Sequence, residues 1–195
     1  MTPSALLEVV ALMRRLRAEC GWKASQTHRT LARHLLEETY ETLEAIELQD
    51  DAHLREELGD LLLQVVFHAV IAEQAGEFDL DDVARDITDK MRRRNPHVYG
   101  PDAGAPADAA SVTDVWEQIK ATEKGRDHVT DGLPPGLPAL LYADKVLDRL
   151  ERTGSPAEVS ESDDLGDRLL ALVAESRERG LDPEQALRDA VRRLL

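Results

Sequence analysis

Apolar residues recur at helical spacing along most of the chain. Leu6, Val9, Val10, Met13 and Leu16 share one face of a segment over residues 6–17, with Arg14, Arg15 and Arg17 off that face. The spacing predicts a helix ending near Cys20-Gly21, then a turn over 22–28 in which Ser25 or Thr27 caps the next helix. Leu31, Leu35, Leu36 and Leu43 continue the pattern until a break at Gln49-Asp50-Asp51. Leu54, Leu58, Leu61, Leu62 and Val65 then carry a third helix to about Ala75. Gly76 closes it, Asp79 caps a helix over 80–94, and Asn95-Pro96 stops that one. A Pro, Gly, Ala and Asp loop over 97–110 is long enough to act as a lid. Helices over 111–124 and 139–152 follow, separated by the stiff stretch Gly132-Leu-Pro-Pro-Gly-Leu-Pro138. In the tail, Leu165, Leu169, Leu172 and Val173, then Leu187, Val191 and Leu194, give the apolar stripes of a helical hairpin. Runs of alternating β-branched and aromatic residues are missing, so the pattern predicts an all-α chain.

The apolar pattern is interrupted by acids in one place. Glu37, Glu38 and Glu41 precede the break at Gln49, and Glu56, Glu57 and Asp60 follow it. If the chain folds back antiparallel there, residues whose numbers sum to 98 lie level, pairing Glu38 with Asp60 and Glu41 with Glu57. On each helix two of these acids stand at i and i+3 on one face. Four converging carboxylates repel one another and raise each other's pKa, so protons or cations must compensate. All-oxygen ligation with no nearby Cys or His favours Mg²⁺, with Mn²⁺ as a substitute. The competing reading is a solvated acidic hairpin. It explains less well why the acids run in line with Leu31, Leu35, Leu54 and Leu61.

With 195 residues and a net charge of −15, the chain is large enough for one sizeable core and too acidic overall to favour duplex nucleic acid. A basic cluster runs against that balance. Lys90 and Arg94, at i and i+4 near the end of one helix, offer an ammonium and a guanidinium fork to a polyphosphate, or merely complement a helix C-terminus. Trp116 and Lys120, also at i and i+4, can cover a nucleotide or pack as a buried Trp with a snorkelling Lys. Trp22 and His28 can line a base pocket or serve as packing and capping residues. The lone Cys20 permits no internal disulfide and fits a reducing interior. No secretory leader and no apolar run of membrane length are apparent, so a soluble cytoplasmic protein with no membrane partner is expected.

The run Glu37-Glu38-Thr39-Tyr40-Glu41 followed by Glu57-Leu58-Gly59-Asp60 resembles the EExxE...ExxD signature of the MazG family of nucleoside triphosphate pyrophosphohydrolases. WKASQTHRTLARHLLEE, LREELGDLLLQVVFHA, RRRNPHVYG, VWEQIKATEK and GLPPGLPALLYADK resemble successive blocks of the family's first domain, and together they span residues 5 to about 150. The resemblance implies a MazG-like all-α helix bundle that hydrolyses NTPs or dNTPs to nucleoside monophosphate and pyrophosphate with Mg²⁺, usually as a dimer. It implies Glu38, Glu41, Glu57 and Asp60 as metal ligands. It places Lys90, Arg94, Trp116 and Lys120 at positions that contact triphosphate or nucleotide. One departure stands out: Cys20-Gly21-Trp22-Lys23 occurs where the family often has Cys-Pro-Trp-Asp.

Within this reading Glu37 or Glu41 takes a proton from the attacking water. House-cleaning of nucleotide pools is the expected role, and a catalytically weak nucleotide-binding or regulatory protein of the same fold is the alternative. A homodimer or larger assembly is expected, because the acidic hairpin leaves neighbouring Leu and Val faces that one thin subunit does not cover. The organisation predicted is a catalytic domain over 1–130, a linker and helix over 131–152, and a degenerate second repeat over 153–195. In that repeat Asp164-Leu-Gly-Asp167 echoes Glu57-Leu-Gly-Asp60 without an EExxE partner.

Overall fold

The computed structural model describes residues 4–100, 108–123, 127–157 and 162–194, and every regular element among them is a helix. The chain divides into two compact units, Met1–Trp116 and Glu117–Leu195. The first contains α1 (Ala5–Glu19), α2 (Gly21–Ser25), α3 (His28–Leu48), α4 (Asp51–Ala75), α5 (Leu80–Arg94) and α6 (Pro96–Tyr99). The division falls inside α7 (Ala109–Glu123), after Trp116.

The α3–α4 hairpin is the frame of the first unit. Thr27 starts α3 through a reciprocal cap: its hydroxyl accepts from the Thr30 amide at 3.2 Å, while Thr30 Oγ1 accepts from the Thr27 amide at 2.9 Å. Gln49 ends the helix in the left-handed region at φ 55°, and Asp50 restarts the chain by accepting from the amides of Ala52 and His53. Gly76, at φ 73°, closes α4, where a side chain on Cβ would be strained. Asp79 and Asp82 form the next reciprocal cap.

Val10 and Met13 of α1, Leu31 of α3, and Val66, Phe67 and Val70 of α4 are buried together. Each contributes about 1.5–3 kcal/mol by leaving water. Arg17 ties α1 to its surroundings, donating to the side chain of Gln74 and to the carbonyls of Lys23, Ala24 and Gln26.

The second unit contains the end of α7 with α8 (Ala139–Arg152), α9 (Leu165–Glu178) and α10 (Pro183–Arg192). Arg177 of α9 lies against α8, donating to Asp144 Oδ1 at 2.8 Å, Asp148 Oδ1 at 3.3 Å and Glu151 Oε2 at 3.0 Å. Leu147 and Val173 are buried. The helix expected to accompany a linker is thus packed with the tail, because its acidic face is the partner of Arg177.

Three local expectations change. Of the leucines expected in line with the acids, Leu31 is buried at 1% exposure but Leu35 is 39% exposed. Contrary to the sequence expectation, α4 is long and apolar enough by length and composition to cross a membrane. The acids at its start mask that run in the sequence, while its second half supplies Val66, Phe67 and Val70 to the core. The start of the expected 97–110 loop is helical in α6, and residues 101–107 of it lie outside the described residues.

Candidate active site

Glu38 and Glu41 on α3 and Glu57 on α4 each offer a carboxylate oxygen within 4.8 Å of the others. The spacing follows from two local facts: i, i+3 stacking on α3, and a hairpin whose two-residue turn holds the helices in the register that levels Glu41 with Glu57. The crowding shows in Glu38, whose pKa is raised above the ordinary carboxylate value, first by burial and then by the charges of Asp60 and Glu41. Asp60 therefore belongs to the same electrostatic group.

Glu57 carries the clearest chemical signal. It is 8% exposed, its Oε1 meets His53 Nε2 at 3.0 Å, and its Oε2 is buried without a hydrogen-bond partner. A buried carboxylate oxygen with no donor is costly unless a cation or proton meets it. The other two carboxylates close by are acceptors as well, so a hard divalent cation fits the donor set. The expectation that no His lies near is corrected here: His53 sits one helical turn before Glu57, with its Nε2 3.0 Å from the carboxylate. That i, i+4 spacing was readable in the sequence.

The remaining predicted residues divide in their placement. Glu37 lies off the cluster, 3.0 Å from His34 Nδ1 and 3.5 Å from Arg33. Arg94 is buried, its guanidinium 4.9 Å from the centre of the Trp116 ring, so these two predicted contacts stand together. Lys90, one turn before Arg94 on α5, is half-buried. Lys120 lies in the second unit, 3.0 Å from Glu117, and lines a cavity of about 240 Å³ with Lys145, Arg149 and Arg152. Trp22 is 54% exposed, with the Lys23 ammonium 4.9 Å from its ring centre. His28 is stacked on His68, the ring centroids 5.0 Å apart and the Nδ1 atoms 2.7 Å apart.

Gln64, 5% exposed with Oε1 unpartnered, passed unnoticed in the pattern; His68, whose place on the Leu54 and Leu61 face reads as a core histidine, is paired with His28 through Nδ1 but has a buried, unpartnered Nε2. The signal for Gln64 was an amide inside the apolar run Leu-Leu-Leu-Gln-Val-Val-Phe.

Residues 26–99 match the model of the MazG nucleotide pyrophosphohydrolase domain, which takes in the whole carboxylate hairpin and α5. The chain is 37% identical over 216 residues to the nucleoside triphosphate pyrophosphohydrolase/pyrophosphatase MazG of Thermotoga maritima, covering 96% of this chain and 82% of that protein. It is 42% identical over 188 residues to a nucleoside triphosphate pyrophosphohydrolase of Mycobacterium tuberculosis, covering 95% of this chain and 54% of the relative. Among solved structures, a mazG-related protein from Thermotoga maritima matches with a TM-score of 0.51 at 24% identity, over 58% of this chain and 97% of that one, a likeness of fold. With the helical hairpin, its carboxylates and this extent of identity in agreement, the chain belongs to the MazG family of nucleotide pyrophosphohydrolases.

Proposed function

We propose that this protein hydrolyses nucleoside triphosphates, ribo or deoxy, to nucleoside monophosphate and pyrophosphate in a Mg²⁺-dependent reaction, and that it serves to clear nucleotide pools. The observation that carries the reading is the buried, unpartnered Oε2 of Glu57 inside a group of three converging carboxylates. Glu38, Glu41, Glu57 and Asp60 are the residues that would hold Mg²⁺, or Mn²⁺ in its place. When bound, the cation supplies charge that neutralises phosphate oxygens and makes water more acidic.

The chain's own groups account for the rest. Glu41 is exposed on α3 within the cluster and is the carboxylate proposed to take a proton from the incoming water; Glu37, the other candidate from the sequence, lies off the cluster beside His34. Lys90 and Arg94 balance negative charge that develops on the departing pyrophosphate, and the Trp116 face holds the Arg94 guanidinium in place. His53 Nε2 lies 3.0 Å from one oxygen of Glu57, and the other oxygen is left for the cation.

A homodimer completes the proposal, since Leu36, Tyr40, Leu58, Leu62 and Val65 of the hairpin remain exposed in one copy. Steady-state release of pyrophosphate from a panel of NTPs and dNTPs, with Mg²⁺, with Mn²⁺ and with chelator, tests the function. Turnover that survives chelation, or phosphate release in place of pyrophosphate, would refute it. Nucleotide binding without turnover would leave the regulatory alternative.

A further inference from the structure

Charge on α8 is divided between two stripes. Asp144, Asp148 and Glu151 recur at i, i+4 and i+7, and Arg177 of α9 meets them at 2.8, 3.3 and 3.0 Å. Lys145, Arg149 and Arg152 repeat that spacing one position later, about 100° round the helix, and line the cavity of about 240 Å³ in the second unit. The acidic stripe therefore has its counterion within the protein. The basic stripe is only partly engaged. Arg152 uses Nε alone, on Asp148 at 3.0 Å, and Lys145 makes no hydrogen bond or ion pair among the described residues.

The facing wall is held in place beforehand. Arg149 Nη1 donates to the carbonyls of Val129 and Asp131 at 2.6 and 2.8 Å, and Asp131 Oδ2 accepts from the amides of Asp127 and His128 at 2.9 Å each. These bonds fix the 127–131 turn against α8 and bring His128, which carries an N–H in either tautomer, to the same cavity. With Lys120, the wall sets four cations against three acids, a positive balance in a chain of net charge −15. Two of those acids are already engaged, Glu117 by Lys120 and Asp148 by Arg152 and Arg177.

Complementing a helix C-terminus explains part of this, since Arg149 and Arg152 lie in the last turn of α8. It does not explain Lys145, which stands outside that turn, or the turn that Arg149 draws over the stripe. A cavity of about 240 Å³ is smaller than the roughly 300–1,000 Å³ that drug-sized ligands occupy, so its size suits a compact ion.

We propose that this cavity binds a compact phosphate anion, orthophosphate or pyrophosphate, through Lys145 and the terminal guanidinium nitrogens of Arg152, and that it does so without a metal ion. An ammonium and a guanidinium both form charge-assisted hydrogen bonds to phosphate oxygens. The carboxylate cluster of the first unit has the opposite requirement, because its acids repel an anion until a cation is present. Lys120 is not needed for the assignment. Pyrophosphate is the product of the hydrolysis proposed above, so the site would fill as turnover proceeds, but the binding itself does not rest on that reading.

The test titrates the full chain with pyrophosphate, and separately with orthophosphate, in chelator at constant ionic strength, followed by calorimetry and thermal melts. Saturable binding at millimolar concentration or below is expected, with a Tm that rises with ligand. Lys145→Ala should weaken binding by about 10-fold, and adding Arg152→Ala by about 10-fold again. Since Lys145 makes no internal bond, its variant should melt like the unmodified protein when no anion is added. Arg15→Ala with Arg179→Ala removes the same charge from exposed intrahelical pairs and should change binding by less than about 3-fold. Absence of saturable binding in chelator, binding that appears only with Mg²⁺, or an equal loss in the control pair would overturn the proposal. A protein that binds pyrophosphate in this way yet hydrolyses no nucleotide would refute the proposed function and uphold the site.

Discussion

Replacing Glu38 by Gln separates the cost of the carboxylate cluster from its use. Glu38 keeps one oxygen within 4.8 Å of those of Glu41 and Glu57. Two unit charges at that distance repel by about 1 kcal/mol in water and about 3.5 kcal/mol at an effective dielectric constant near 20. Glu41 is exposed, which favours the lower figure for that pair, while Glu57 is buried, which favours a higher one for the other. The amide removes both repulsions and preserves shape, so the metal-free variant should be more stable by about 2 kcal/mol.

The pH dependence follows from the sign of the shift. The Glu38 pKa is raised in the folded state. Its favourable, protonated contribution is therefore fully present below the unfolded value and is lost as pH rises through the folded value. The advantage of Glu38→Gln should accordingly be greatest at neutral pH and vanish near pH 4. Thermal melts in chelator at pH 7.5 and pH 4, compared with melts in millimolar Mg²⁺, measure it. Added Mg²⁺ should stabilise the unmodified protein more than the variant. Turnover with Mg²⁺ should fall by more than about 100-fold, because even groups that only orient a metal ligand cost 10- to 100-fold when lost. A variant that melts lower than the unmodified protein in chelator at pH 7.5, or one that keeps near-normal turnover, would refute the reasoning.

Arg177→Met should destabilise the second unit by about 2–4 kcal/mol, since it leaves Asp144 of α8 facing α9 without its cation and takes one of two cations from Asp148; a denaturant melt followed by proteolysis of the tail checks it. Asp148 is resisted by burial but held below the ordinary carboxylate value by Arg152 and Arg177, so its contribution should be present above about pH 4 and disappear as pH falls through its folded pKa. Acid titration of Asp148→Asn against the unmodified protein shows the difference. Gln49→Gly should raise stability by about 1 kcal/mol, because the hairpin turn holds this side chain in the left-handed region; an unchanged denaturation midpoint would contradict it. Light scattering at micromolar concentration should give at least twice the 21.7 kDa chain mass, and Leu58→Glu with Leu62→Glu should shift it toward the monomer.

Much of the first unit was legible because its signals are local. Thr27, Asp79 and Gly76 are caps whose chemistry depends on a few neighbouring residues, and the structure uses each as the pattern predicts. The register between Glu41 and Glu57 was readable for the same reason: a turn between two helices leaves one way to level them. His53 and Gln64 were equally visible as letters. What hid them is that a histidine one turn from a carboxylate, or an amide in an apolar run, acquires meaning only when burial removes water from it.

By itself, then, the sequence determined the helices, their caps, the fold-back at Gln49 and the acids that meet across it, since all of these follow from periodicity and short-range hydrogen bonding. Tertiary structure alone decided the rest. It set Leu31 in the core and left Leu35 exposed, stacked Arg94 on Trp116, and placed α8 with the tail through Arg177. It also lined up Glu57, Gln64 and His68 as buried atoms without partners. Each of these depends on which surface lies opposite a residue, and that is fixed by packing between elements distant in the chain, where a periodic pattern is equally satisfied by several neighbours.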